Sequence, residues 1–120
     1  MNSYALIDLH CDTLTDCIYK NSDPDTLDDP GRVLSLSAIP ADVHWAQFYA
    51  VFIPDEYRGQ AAIDYYETNR DNFNRQMKKF CDRVTPCHTA SDMKAAWNSG
   101  KTAAFLTIEN GSPLAGNITR

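Results

Sequence analysis

Residues 43–53 read VHWAQFYAVFI, the strongest strand signal in the sequence and the starting point for its fold. The stretch is rich in aromatic and β-branched residues, which fit the pleated surface of a sheet. Two other apolar stretches, residues 4–10 (YALIDLH) and 103–109 (AAFLTIE), also have the character of buried strands. The sequence therefore predicts about three strands, with a weaker short strand expected at residues 32–37.

The segments between these strands follow a helical period. Apolar residues recur at three-, four- and seven-residue steps from about residue 60 to residue 83, which predicts a long amphipathic helix. A short helix is expected over residues 13–20, and another follows Ser91 as its N-cap and stops before Gly100. Because strands and helices alternate, we expect an α/β fold with parallel strands and crossover helices. Residues 21–31, rich in Asp, Asn and Pro, are expected to form a loop.

Composition narrows the class of protein. The 120 residues allow one domain at most, and the net charge of −5, with scattered Lys and Arg, argues against nucleic-acid binding. No apolar run approaches the roughly 18 residues of a membrane span, and the N-terminus lacks the pattern of a secretory signal. The four cysteines contain no CxxC spacing, which favours reduced thiols in a cytoplasmic protein. A bridge between Cys81 and Cys87 stays open at this stage.

Two groups of polar residues stand where predicted strands end. His10 and Asp12 are two residues apart, so in a strand they would project to one face, with Cys11 pointing away. Asp8 would lie on the same face one layer deeper, where it could orient a metal ligand. Glu109 closes the last predicted strand. Since the carboxyl ends of parallel strands share one edge, these residues predict a metal centre of one imidazole and two carboxylates.

Taken alone, an HxD triplet is more often an ordinary hydrogen-bonded pair than a metal site, and the strand-end position is what favours the metal interpretation. His44 and His88 are interpreted as surface or structural residues, and Gln47 and Tyr49 as core residues more readily than as pocket residues. The sequence contains no P-loop, no GxGxxG and no GxSxG motif.

Three ordered segments resemble the membrane (renal-type) dipeptidases, a family of zinc peptidases. They are IDLHCDTL at residues 7–14, WAQFYAVF at 45–52 and AAFLTIENG at 103–111. The resemblance covers essentially the whole chain. It implies the N-terminal part of a (β/α)8 barrel of the amidohydrolase type, with 1–120 forming part of a single domain. A complete barrel of this type needs roughly 250 residues, so we expect the rest of it beyond Arg120 or in another chain.

The resemblance also implies roles for individual residues. His10 and Asp12 would bind one zinc ion, Glu109 would bridge two, and the remaining ligands would lie beyond these 120 residues. The family usually has Glu-Gly-Gly where this chain has Glu109-Asn110-Gly111, which leaves substrate preference more open than the metal site. The implied activity is hydrolysis of small dipeptides by a metal-activated water, and the 120 residues alone are expected to be inactive.

Other functions remain open at this point. One is hydrolysis of another small amide or a lactam on the same scaffold. Another is a non-catalytic α/β domain that binds proteins, and a third is a small stand-alone binding module. The expected partners are a dipeptide and either a second copy of the chain or a complementing chain, with no nucleic acid and no membrane.

Overall fold

The computed structural model describes residues 4–19 and 27–119, apart from the side chain of Cys17. The strands are β1 (Tyr4–Cys11), β2 (Val43–Phe52), β3 (Val84–Pro86) and β4 (Thr102–Glu109). The α-helices are α1 (Thr13–Tyr19), α2 (Gln60–Lys79) and α3 (Ala90–Asn98). Two short 3-10 helices cover Leu36–Ala38 and Ser112–Leu114. None of the helices within the described ranges is long and apolar enough to cross a membrane.

The four strands form one sheet in the order β1-β2-β4-β3, and every neighbouring pair is parallel. The predicted α/β class with crossover helices is confirmed. The fourth strand, β3, was not predicted, since α2 was expected to continue to residue 83. The helix instead ends at Lys79, and Val84 is fully buried beside Thr102 of β4. At this outer edge β3 is only three residues long and ends in Pro86, which limits further strand pairing.

The strand expected at residues 32–37 is wrong. Asp29 binds the backbone N–H of Gly31 at 2.8 Å and pairs with the guanidinium of Arg32 at 3.0 Å, which closes a turn. Leu36 then begins a 3-10 helix and is buried. Local side-chain bonding by Asp and Arg therefore overrides a weak strand pattern. Of the loop predicted at residues 21–31, residues 27–31 form turns, and the earlier residues lie outside the described ranges.

The main core lies between one face of the sheet and helices α1 and α2. Tyr49 of β2 packs against Phe73 of α2, with 6.2 Å between the two ring centroids. The side chain of Tyr49 is 1% exposed. The buried members of this cluster are Cys11, Leu14, Leu27, Leu36, Tyr49, Val51, Ile53, Ala62, Phe73, Met77, Val84 and Ala104. Polar residues of α2 are buried as well, and Gln76 accepts a hydrogen bond from the backbone N–H of Leu27. That bond joins α2 to the connection between β1 and β2.

Helix α3 packs against the opposite face. The chain step from β2 through α2 to β3 runs across the sheet in one direction, and the step from β3 through α3 to β4 runs back, so a right-handed crossover places α3 on the other side. Ala96 of α3 accordingly clusters with Ala46 and Ala103, whose register positions alternate with those of the main core. Trp97 donates a hydrogen bond to the carbonyl of Trp45 at 2.9 Å.

The start of α3 differs from the predicted N-cap at Ser91. Thr89 is the N-cap, and its hydroxyl accepts from the backbone N–H of Asp92 at 3.1 Å. The carboxylate of Asp92 accepts in return from the N–H groups of Thr89 and His88, which completes a capping box. Gly100, at φ +72, follows the helix as predicted.

The fold shows whether Cys81 and Cys87 form a disulfide bond. Cys11, Cys81 and Cys87 are free thiols, so Cys81 and Cys87 do not form a bridge. Cys81 is exposed, and Cys87 is buried under α3.

Candidate metal centre

Three predicted site residues converge at the carboxyl edge of the sheet. His10 lies near the end of β1, Asp12 follows the strand, and Glu109 is the last residue of β4. Although β2 separates the two strands, His10 Nε2 lies 3.1 Å from Asp12 Oδ1 and 3.5 Å from Glu109 Oε2. One ligand atom of each residue lies within 4.8 Å of the others. The three residues thus form one cluster built from two non-adjacent strands.

A bulge in β1 sets the orientation of His10 and Asp12. Asp8 pairs with Gln47 and Cys11 with Tyr49, so three steps along β1 match two steps along β2. Such a bulge bends the strand and re-aims side chains, as bulges next to functional sites commonly do. Cys11 points away from the cluster as expected. It is buried in the main core, and this burial raises the pKa of its thiol.

The bulge also affects the prediction that Asp8 orients a metal ligand. Its placement on the face of His10 and Asp12 relied on strict alternation along β1, which the extra residue interrupts. The carboxylate of Asp8 instead accepts a hydrogen bond from the backbone N–H of His10 at 3.1 Å. Asp8 therefore supports the backbone of the bulge, and orientation of the His10 ring by Asp8 stays a prediction.

The chemistry of this cluster suits a divalent cation. Two carboxylates converge on one imidazole nitrogen, and both carboxylates are acceptors, so a proton or a cation is needed between the groups. His, Asp and Glu are the nitrogen and oxygen ligands that zinc takes. The side chains of His10, Asp12 and Glu109 are 49%, 57% and 49% exposed, so a cation and a small substrate can reach them. The residues present therefore fit a metal ion.

The cluster opens into a cavity of about 490 Å³, large enough for a small molecule. Its walls come from the ends of β1, β2 and β4 and from helices α1 and α2. The lining residues are His10, Asp12, Thr15, Asp16, Tyr19, Phe52, Tyr65 and Glu109. Partial burial raises the pKa of the Tyr65 phenol further above neutral pH, so Tyr65 itself adds no charge to the cavity. The wall residues outside the motifs were not predicted, because α1 and α2 reach this edge only in the tertiary fold.

A buried hydroxyl anchors the turn that carries Asp12. Thr13 is fully buried, and its Oγ1 donates to the carbonyl of Leu34 at 3.1 Å and accepts from the Leu34 N–H at 3.3 Å. Arg32 adds a second tie through an ion pair with Asp16 of α1 at 3.0 Å. The connection from β1 to β2 is thereby held against the start of α1, directly beside Asp12.

The remaining predicted residues take structural positions. Gln47 is fully buried and accepts a hydrogen bond from the indole of Trp45 at 3.0 Å, so it belongs to the core together with Tyr49. His44 lies at the opposite, amino edge of the sheet and packs against Trp97 at 5.5 Å between ring centroids. His88 precedes α3, with its backbone N–H on Asp92.

A parallel α/β sheet with a cluster of His, Asp and Glu at its carboxyl edge is the arrangement in which barrel enzymes place their active sites. The sequence profile of the membrane dipeptidases, peptidase family M19, matches residues 1–120. The chain therefore belongs to the membrane dipeptidase family.

Solved structures agree with this fold. A crystal structure described as dipeptidase AC, a metallopeptidase of family M19, superposes with a TM-score of 0.78 at 15% identity. The match covers 93% of this chain and 37% of that dipeptidase. An amidohydrolase from Pseudomonas aeruginosa superposes with a TM-score of 0.52 at 21% identity, covering 66% of this chain and 22% of that one. The chain thus has the fold of part of a TIM-type barrel and spans little more than a third of the solved dipeptidase. No curated protein sequence matches the chain significantly.

Proposed function

We propose that the protein hydrolyses the amide bond of small dipeptides at a zinc centre to which His10, Asp12 and Glu109 contribute ligands. The observation that carries the proposal is the convergence of these three side chains within 4.8 Å at the carboxyl edge of the sheet. Family membership supports metal-dependent peptidase chemistry, and the cavity beside the cluster has room for a small substrate.

Each residue of the cluster has a distinct task in this proposal. His10 would present Nε2 to the metal, which requires the proton of the neutral ring on Nδ1. Asp12 and Glu109 would supply carboxylate oxygens, and Glu109 would be the bridging ligand if two ions bind. When bound, zinc supplies Lewis acidity that polarises a carbonyl and brings the pKa of water toward neutrality. The walls of the cavity would hold the dipeptide with its amide bond close to this edge.

The proposal also includes a partner. Further ligands are expected on barrel strands that the 120 residues do not contain, either later in the same protein or in a complementing chain or second copy. Within the described residues β1 pairs with β2 alone, so its other edge is where such a strand would pair, and Tyr4 and Leu9 of β1 are about 70% exposed. Without that part, the 120 residues are expected to bind zinc weakly and to be inactive. We place the protein in the cytoplasm, on the support of its free thiols.

Zinc binding and dipeptide hydrolysis test the proposal together. Zinc content is measured by elemental analysis of the protein isolated from its source, and hydrolysis is measured on a panel of dipeptides, N-acyl amino acids and lactams. About two zinc ions per site and a preference for dipeptides would support the proposal. Preference for another member of the panel would replace the substrate while keeping the metal centre.

Matched variants assign the activity to this cluster. Glu109→Gln removes a carboxylate at the edge, and Glu67→Gln removes an exposed carboxylate on α2 as a control. We expect Glu109→Gln to lower zinc content and to reduce hydrolysis at least a hundredfold, while Glu67→Gln changes neither. Unchanged zinc content and activity in Glu109→Gln would reject the proposed centre.

A further inference from the structure

The residue after Glu109 has an unusual backbone conformation. Asn110 adopts φ +71, in the left-handed region where residues other than Gly are uncommon and Asn is enriched. Glycine would reach this conformation with less strain. We therefore expect the side chain of Asn110 to make contacts that a glycine could not make.

The side chain of Asn110 joins two strand ends. Nδ2 donates to the carbonyl of Ile53 at 2.8 Å, and Oδ1 accepts from the backbone N–H of Ser112 at 3.0 Å. Because one partner is a carbonyl and the other an N–H, the orientation of the amide is determined by its bonds. A glycine at this position could make neither bond.

These bonds lie next to the cluster. Ile53 is fully buried and directly follows Phe52, which is the register partner of Glu109. Asn110 thus ties the end of β4 to the end of β2 at the level of Glu109. The Glu109 carboxylate reaches across β2 to within 3.5 Å of His10 Nε2, so a small rotation of the backbone at the strand end would change that distance.

We propose that Asn110 is a positioning residue for Glu109, holding its carboxylate toward His10 and Asp12 by bonding the two strand ends together. The inference rests on the proposed function, in which Glu109 is a metal ligand. Residues that orient metal ligands typically change metal affinity by about 10- to 100-fold when they are replaced.

The decisive variant is Asn110→Gly, which permits the left-handed backbone and removes both bonds. Asn117→Gly is the matched control, because Asn117 Oδ1 likewise accepts from a backbone N–H two residues on, that of Thr119, in the polar segment near the C-terminus. In the full protein, zinc affinity is measured by competition with a chelator, and the visible spectrum of the cobalt(II) form reports ligand geometry. Thermal unfolding is recorded in parallel.

We expect Asn110→Gly to weaken zinc binding about tenfold and to change the cobalt spectrum, while Asn117→Gly changes neither. Asn110→Ala, which loses the bonds and adds backbone strain, is expected to weaken zinc binding at least as much. A lower melting temperature with unchanged affinity and spectrum would show a purely structural role and overturn the inference.

Glu109→Gln in the same assay separates the two proposals. If Glu109→Gln weakens zinc binding and Asn110→Gly does not, the positioning role is rejected while the proposed function stands. If neither variant affects zinc binding, both are rejected.

Discussion

Strands β1 and β2 are neighbours in one sheet but differ in nearly every physical respect. β2 is central, and five of its ten residues are buried, whereas Cys11 is the one buried residue of β1. β1 carries a bulge and pairs with β2 alone in the described part of the chain, and its end bears His10 of the cluster. β2 pairs without a register shift along β4 and ends in Phe52, which lines the cavity.

The difference indicates that β2 contributes mainly to the stability of the fold, whereas β1 contributes mainly to the candidate site. Side chains of β2 pack under α2, so their removal leaves cavities in the core. Apart from Cys11, the side chains of β1 are exposed or half-buried among the described residues, so packing there does not require their types. We therefore expect substitutions in β2 to lower the free energy of unfolding most and substitutions in β1 to lower it least.

Truncating a buried ring of β2 should cost the most. Tyr49 is 1% exposed and packs against Phe73, so Tyr49→Ala should lower the free energy of unfolding by about 3–5 kcal/mol. Tyr4→Ala on β1 is the matched control, because Tyr4 is 69% exposed, and it should change stability by less than about 0.5 kcal/mol. Urea denaturation measures both. Equal losses in the two variants would contradict the comparison.

The connection between the strands should have an intermediate effect. Thr13→Val keeps the shape of a buried side chain and removes the hydroxyl bound to both backbone groups of Leu34, so we expect a loss of about 1–3 kcal/mol. Thr68→Val, at an exposed position on α2, serves as the control. If both variants unfold at the same urea concentration, Thr13 does not anchor the turn beside Asp12.

Asp28, in the connection between β1 and β2, should make the stability of the fold depend on pH in the acidic range. Partial burial raises the pKa of Asp28, but hydrogen bonds from Ser37 and the nearby Arg83 guanidinium outweigh it and hold the pKa below its usual value. The folded-state pKa is thus below the unfolded one. The stabilisation, about 1 kcal/mol, is complete above the ordinary Asp pKa of about 3.9 and is lost as pH falls through the folded value.

Asp28→Asn checks this contribution. The stability difference from the parent chain should be full at pH 7 and should shrink below about pH 4, as followed by urea denaturation across pH. Asp42→Asn, an exposed position in the same connection, is the control. A difference that stays constant down to low pH would mean that the Asp28 carboxylate does not produce it.

The smallest effect is expected on the free side of β1. Leu9 is 70% exposed, so Leu9→Lys in the 120-residue chain should change the free energy of unfolding by no more than about 0.5 kcal/mol. A loss of several kcal/mol would mean that another segment or a second chain covers β1. Analytical ultracentrifugation of the parent chain and the variant would then distinguish a second chain from a segment of the same one.

Much of the fold could be predicted from local patterns. The aromatic and β-branched run of β2 and the helical period of α2 each persist over ten or more residues, so the element type is clear before any tertiary contact is known. β3 could not be predicted, because three residues carry no periodicity and Val84 becomes a strand residue only by pairing with β4. The N-cap at Thr89 was missed although the sequence signals it, because Asp92 follows Thr89 at the spacing of a capping box, whereas Lys94 stands at that spacing after Ser91.

For the candidate site, residue type and position at strand ends were enough to select His10, Asp12 and Glu109, since parallel strands bring their carboxyl ends to one edge. Only the tertiary structure determined the distances and orientations of these three side chains relative to one another. The bulge that turns β1, the order that places β2 between β1 and β4, and the Asn110 bridge to Ile53 all depend on register and backbone angles. These follow from contacts between residues 38 to 57 positions apart, which no local pattern in the chain contains.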